Sequence, residues 1–211
     1  MFLLTVHINL IYIVIRMFNP QSICVYCASS SRVAPCYIDA AYQLGVLLAK
    51  EGIHLVTGGG NIGLMRSVED GVLDNAGEAV GVIPQFMVEQ NWHYDKLTRL
   101  HVTEDMHSRK QLMAQLSDAI IALPGGCGTM EELCEIITWK QLGLYLKPIV
   151  ILNINGYYNH LIAQLEHAIE EHFMGEIHGK IWKVASTPEE ALTAVRESEI
   201  WDSSIRKYAA L

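Results

Sequence analysis

A glutamate at the foot of a glycine-rich loop and an arginine in a basic helix are the residues of this chain best suited to chemistry. Glu132 closes the run Leu123-Pro124-Gly125-Gly126-Cys127-Gly128-Thr129-Met130-Glu131-Glu132. An apolar strand, then glycines, then a helix leaves backbone N–H groups free to close around an anion, and the helix dipole favours negative charge there. The same plan occurs earlier, in Thr57-Gly58-Gly59-Gly60-Asn61-Ile62-Gly63-Leu64-Met65. In a parallel sheet both loops lie at the carboxyl edge, so two helix N-termini would converge on one phosphate. Gly58, Gly60 and Gly63 match G-x-G-x-x-G, but the next strand ends Ile83-Pro84-Gln85 without the acidic residue that grips the ribose of NAD. No lysine followed by serine or threonine comes after the glycines, which excludes a Walker A loop.

Each feature also has a purely structural explanation. A glycine loop can be a tight strand-to-helix turn. Thr129-x-x-Glu132 is a capping-box pattern that would tie Glu132 to its own helix. In Met106-His107-Ser108-Arg109-Lys110, Arg109 shares an apolar face with Met106, Leu112, Met113 and Leu116, so it needs an anionic partner. That partner is Glu132 or a bound phosphate, unless an ion pair merely locks the helix; Lys110 reads as a solvated residue. The nine histidines form no H-E-x-x-H or Cys/His cluster, and His167 and His172 are five apart, so no metal or cofactor is expected.

The elements that position these residues are short β-branched runs alternating with longer amphipathic segments, the pattern of βαβ units and a mainly parallel sheet. Strands are expected near Ile23–Tyr26, His54–Thr57, Ala79–Ile83, Arg99–Val102, Ala119–Leu123, Ile149–Leu152 and Lys183–Ala185. Helices are expected over Pro35–Lys50, Gly63–Asn75, Glu104–Leu116, Thr129–Leu142, Tyr157–Phe173 and Pro188–Arg196. Thr187-Pro188-Glu189-Glu190 combines an N-cap, a proline at the first helical position and a capping-box glutamate. The longest connection, Pro84–Leu97, follows a strand end, where loops often border a binding site.

With 211 residues, 51% hydrophobic and 18% charged, the chain has enough apolar surface for one large core and is not disordered. A net charge of −8 attracts no nucleic acid, so any phosphate must be held locally, which favours free nucleotides. Five cysteines, odd in number and scattered, point to a reducing cytoplasm; Cys24 and Cys27 lie in a strand-like run facing opposite sides as core thiols. Residues 1–18 form an apolar extension broken by His7, Asn9 and Arg16, too short an unbroken run for a membrane span and lacking a signal-peptide layout. Residues 19–211 are expected to be a single domain.

Taken together, these residues resemble the Lonely Guy family of cytokinin-activating phosphoribohydrolases, marked by P-G-G-x-G-T-x-x-E after an M-H-x-R-K segment. Pro124, Gly125, Gly126, Gly128, Thr129 and Glu132 fill the first pattern; Met106, His107, Arg109 and Lys110 fill the second. The likeness runs from about Ser22 to at least Phe173, with Ala28 in place of a common glycine. It implies a Rossmann-like three-layer α/β/α fold, a homodimer, and hydrolysis of the N-glycosidic bond of AMP or a prenylated AMP. It implies catalysis by Glu132 and Arg109, and substrate contacts from Ser29, Thr57, Gly58, Gly59, Gly60, Glu89, Met106, Lys110, Gly125, Gly126, Cys127, Gly128, Thr129, Met130, Glu131 and Thr138. The older label for such proteins, lysine decarboxylase, needs a Schiff-base lysine with a pyridine partner, and no such constellation stands in this chain. A non-catalytic nucleotide carrier is the rival reading.

Overall fold

Strand and helix formation follow the expected alternation closely. The computed structural model describes residues 18–208, so the apolar extension falls almost wholly outside the described residues. The strands are β1 (Ser22–Tyr26), β2 (His54–Thr57), β3 (Ala79–Pro84), β4 (Arg99–Thr103), β5 (Ala119–Ala122), β6 (Ile149–Leu152) and β7 (Lys183–Ala185). The α-helices are α1 (Pro35–Lys50), α2 (Gly63–Leu73), α3 (Gln85–Glu89), α4 (Met106–Gln115), α5 (Cys127–Gln141), α6 (Asn159–Glu170) and α7 (Pro188–Arg196).

All seven strands pair in parallel, in the order β4-β3-β2-β1-β5-β6-β7. The period-2 alternation of a strand splits the core in two. Ile23, Val25 and Cys27 face α1, α2 and α7, while Cys24 and Tyr26 face Met113 of α4 and Leu133 and Ile137 of α5. Helices on both faces make the three-layer α/β/α sandwich, and the two thiols point to opposite layers, as the spacing requires.

Two helices meet without side chains between them. A Cβ on Gly45 of α1 would lie 2.2 Å from the Val68 carbonyl oxygen, and one on Gly71 of α2 equally close to that of Tyr42. This backbone contact fixes α2, and with it the loop that precedes it. Thr187 caps α7 by accepting from the Glu190 N–H at 3.2 Å, while the Glu190 carboxylate reaches back to the Ser186 N–H at 2.8 Å, one residue earlier than in the reciprocal box.

Departures from the sequence reading lie at boundaries. The connection after β3 contains the short helix α3, started by Pro84, whose extended backbone stands at the N-cap position. A 3-10 turn, Ile154–Gly156, precedes α6, which begins at Asn159 instead of Tyr157, and the Asn153 side chain accepts from the Tyr158 N–H at 2.7 Å.

Candidate active site

The strand order reverses direction beside β1, whose neighbours are β2 and β5. In a parallel sheet the crevice outside the carboxyl ends at such a switch point is where ligands bind. Here it holds a cavity of about 590 Å³ walled by the segments following β1, β2 and β5, a size suited to a small molecule.

Arg109 reaches its floor from α4. Its Nε donates to the Val82 carbonyl at 3.0 Å and its Nη1 to Glu132 Oε1 at 3.4 Å. The two side chains are only 8% and 10% exposed. A Cβ on Gly58 would fall 1.9 Å from Arg109 Nη2, so the absence of a side chain at Gly58 is what admits the guanidinium. Burial pushes the Glu132 carboxyl up to about 7, against the opposing pull of Arg109. A carboxyl with that value exchanges a proton at neutral pH, as a general acid or base requires.

The capping explanation for Glu132 does not survive the geometry. Helix α5 begins at Cys127 with Gly126 as its N-cap and no side-chain cap, so Thr129 is the third helical residue. The first N–H groups of such a helix have no intrahelical partner. A Cβ on Gly126 or Gly128 would meet nothing within 4 Å, so the end of α5 is open to a ligand. Gly125 instead makes room for Thr129, whose Oγ1 lies 2.1 Å from where a Cβ would stand. Tyr157 and Tyr158 clamp this loop from behind, donating to the Gly125 and Leu123 carbonyls at 2.6 and 2.7 Å.

In the first glycine loop three backbone amides already have partners within the protein. The Gly59 N–H donates to Thr57 Oγ1 at 3.0 Å, Gly60 to Met65 Sδ at 2.9 Å and Asn61 to the Trp92 carbonyl at 3.0 Å. Gly58, Gly60, Ile62 and Met65 of this loop form one wall of the cavity. Gly63, at φ +68°, lies where a Cβ would press within 2.5 Å of the Ser29 carbonyl carbon, locking this loop to the one after β1.

Ser29, Gly58, Gly60, Met106, Arg109, Gly126, Gly128, Thr129, Glu131 and Glu132 line the cavity. Thr57, Gly59, Gly125, Cys127 and Met130 stand in the same loops without lining it. Lys110 is neither a lining residue nor solvated: it is buried, and its ammonium pairs with Glu131 at 2.5 Å and Glu135 at 3.1 Å. Burial pulls the Lys110 pKa down, but these two hydrogen bonds outweigh it and hold the value raised. Glu89 ends α3 and accepts from Gln85 at 3.1 Å, and the Thr138 hydroxyl donates to the Cys134 carbonyl at 2.8 Å, both away from the cavity.

The sequence reading missed an apolar wall of Ile62, Met65, Ile83, Met87 and Trp92. Its only legible signal was the long connection after β3, which supplies Met87 and Trp92. Among the described residues, no group of three or more His, Cys, Asp or Glu could hold a metal ion.

Comparison with known proteins identifies the family. The family described as "Possible lysine decarboxylase" matches residues 65–195. The chain is 44% identical over 172 residues to the probable cytokinin riboside 5'-monophosphate phosphoribohydrolase LOGL6 of Oryza sativa subsp. japonica, covering 82% of this chain and 69% of that one. It is 43% identical over 177 residues to LOG3 of Arabidopsis thaliana, a cytokinin riboside 5'-monophosphate phosphoribohydrolase, covering 84% and 82%. Among solved structures, the molybdenum cofactor carrier protein of Chlamydomonas reinhardtii superposes with a TM-score of 0.65 at 23% identity, covering 84% of this chain and 96% of that one, a likeness of fold alone. With its second loop, its Arg109–Glu132 pair and relatives of this closeness, the chain belongs to the Lonely Guy family of cytokinin riboside 5'-monophosphate phosphoribohydrolases.

Proposed function

We propose that this protein is a hydrolase that cleaves the N-glycosidic bond of adenine-type nucleoside 5′-monophosphates, releasing the free base and ribose 5-phosphate. The observation that carries this reading is the buried Arg109–Glu132 pair at the floor of a cavity whose rim is the uncapped N-terminus of α5. The 5′-phosphate sits against the N–H groups of Cys127, Gly128 and Thr129, which places C1′ toward Glu132. Cleavage passes through an oxocarbenium-like state, and the Glu132 carboxylate stabilises its positive charge. Water adds to C1′ as the bond to the purine nitrogen breaks. Glu132 takes the proton that the water loses, and that proton passes by way of solvent to the departing purine, which restores the carboxylate. Arg109 orients Glu132 and faces the negative charge that builds on the leaving base.

The wall of Ile62, Met65, Ile83, Met87 and Trp92 supports a prenylated adenine as the preferred base, since an apolar tail is better accommodated there than by water. The protein works on free nucleotides in the cytoplasm, as a homodimer and without membrane or nucleic acid. The relatives' substrates support the nucleotide, and the net charge of −8 disfavours a nucleic-acid partner; among the described residues no helix is long and apolar enough to cross a membrane. Incubating the protein with AMP and with isopentenyl-AMP tests the reading: free base and ribose 5-phosphate should appear, faster from the prenylated nucleotide. A carrier would return both nucleotides intact.

A further inference from the structure

The core contains a carboxyl that neither packing nor the proposed chemistry accounts for. Glu69, on α2, is fully buried. Its Oε1 accepts a 2.5 Å hydrogen bond from Thr57 Oγ1, and its Oε2 is buried with no partner. A buried polar group left half-satisfied does not stabilise a core better than an apolar residue of the same size. Burial pushes this carboxyl up to about 8, against the Thr57 hydrogen bond, so at neutral pH it is chiefly the uncharged acid.

What the carboxyl does is set a turn. The Thr57 hydroxyl, oriented by donating to Glu69, accepts from the Gly59 N–H at 3.0 Å. Gly59 stands at φ +69° with its Cα against Gly81, where a Cβ would lie 3.2 Å from the Gly81 Cα. Between Thr57 and Gly59 lies Gly58, the surface on which the Arg109 guanidinium rests. We propose that Glu69 is a positioning residue for the hydrolysis: through Thr57 and Gly59 it fixes the Gly58 backbone that holds Arg109 beside Glu132. The inference rests on the hydrolase reading given above.

The variants Glu69→Met and Glu69→Gln, made in the full chain, test it. Methionine keeps the volume but offers Thr57 no carboxyl oxygen, whereas glutamine keeps the acceptor. Turnover of AMP is followed across the pH range spanning the Glu132 ionisation, with thermal melting to confirm folding. The groups facing Glu132 are Arg109 and Lys110 on α4, Glu131 and Glu135 on α5, Cys24, Tyr26 and Cys27 from β1 and its end, and Tyr158 before α6. Of these, only Arg109 rests on the Gly58 turn.

Glu69→Met is expected to lower kcat about tenfold with KM within about twofold, the effect of losing one oriented hydrogen bond. The acid limb of its profile should move to higher pH, because a displaced Arg109 no longer holds the Glu132 pKa down. Glu69→Gln should stay within about twofold of the parent. Thr57→Val should reproduce the Met defect, and the Thr57→Val/Glu69→Met double variant should be no worse than either single one. If Glu69→Met does not fold, Thr57→Val alone carries the test. A parental kcat and acid limb in the folded Met variant or in Thr57→Val would overturn the role, as would a loss confined to KM or an equal loss in Glu69→Gln. An inactive parent protein would instead overturn the hydrolase reading.

Discussion

Arg109 and Glu132 differ in how readily their roles emerge from residue type. Arg109 declared itself by standing on an apolar helical face, since a guanidinium there must be paired. Glu132 was ambiguous because Thr129-x-x-Glu132 reads equally well as a helix cap. The ambiguity ends only with the start of α5 at Cys127, which is set by Gly126 and not by the threonine. Lys110 was misread because its partners, Glu131 and Glu135, come from another helix. For Arg109→Lys we expect steady-state turnover to fall at least about tenfold although the charge is kept. Lysine cannot donate both to the Val82 carbonyl and to Glu132 from one rigid plane. A parental rate would show that Arg109 serves only as a counter-charge.

At the scale of elements, the seven strands were legible because each is a short β-branched or apolar run between turn residues. Helix α3 was not, because Pro84 can end a strand in a loop as readily as it can start a helix. The two glycine loops looked equivalent in sequence and are not. The partners of the Gly59, Gly60 and Asn61 amides are a side-chain hydroxyl, a thioether and a carbonyl from a distant loop, which no local pattern announces. This difference is why the proposed mechanism puts the phosphate at the N-terminus of α5. Gly128→Val fills open space there, so it should leave the melting temperature within a few degrees while weakening calorimetric binding of AMP at least about tenfold. Unchanged affinity would move the phosphate elsewhere.

For the whole molecule, buried titratable groups tie stability to pH; Lys140, pulled from 10.5 down to about 8 by burial, adds stability only as pH rises above about 8, beyond the range in which the other groups titrate. Glu69 and Glu132, raised from 4.5 to about 8 and about 7 chiefly by burial, bind protons more tightly folded than unfolded. Their contribution is complete below the unfolded value of 4.5 and is lost as pH rises through 7 and 8. His178, fully buried with its Nε2 unpartnered, is pushed below its ordinary 6.5 by burial, so its contribution is lost as pH falls below that value. The melting temperature should therefore decline from about pH 6.5, where His178 no longer opposes it, to about pH 8, and Glu69→Gln should flatten that decline. Equal slopes in the two proteins would mean that Glu69 is already ionised at neutral pH.

The proposed hydrolysis stands or falls on the Glu132 carboxylate. Replacing it by glutamine preserves shape and disturbs no helix cap, but removes the negative charge that an oxocarbenium-like state requires. The decisive measurement is single-turnover hydrolysis of isopentenyl-AMP by Glu132→Gln, alongside calorimetric binding of the same nucleotide. We predict a folded protein that binds the nucleotide within a few-fold of the parent and cleaves it about a hundredfold more slowly, or worse. A Glu132→Gln protein that cleaves at the parental rate would contradict the assignment of Glu132 and with it the mechanism.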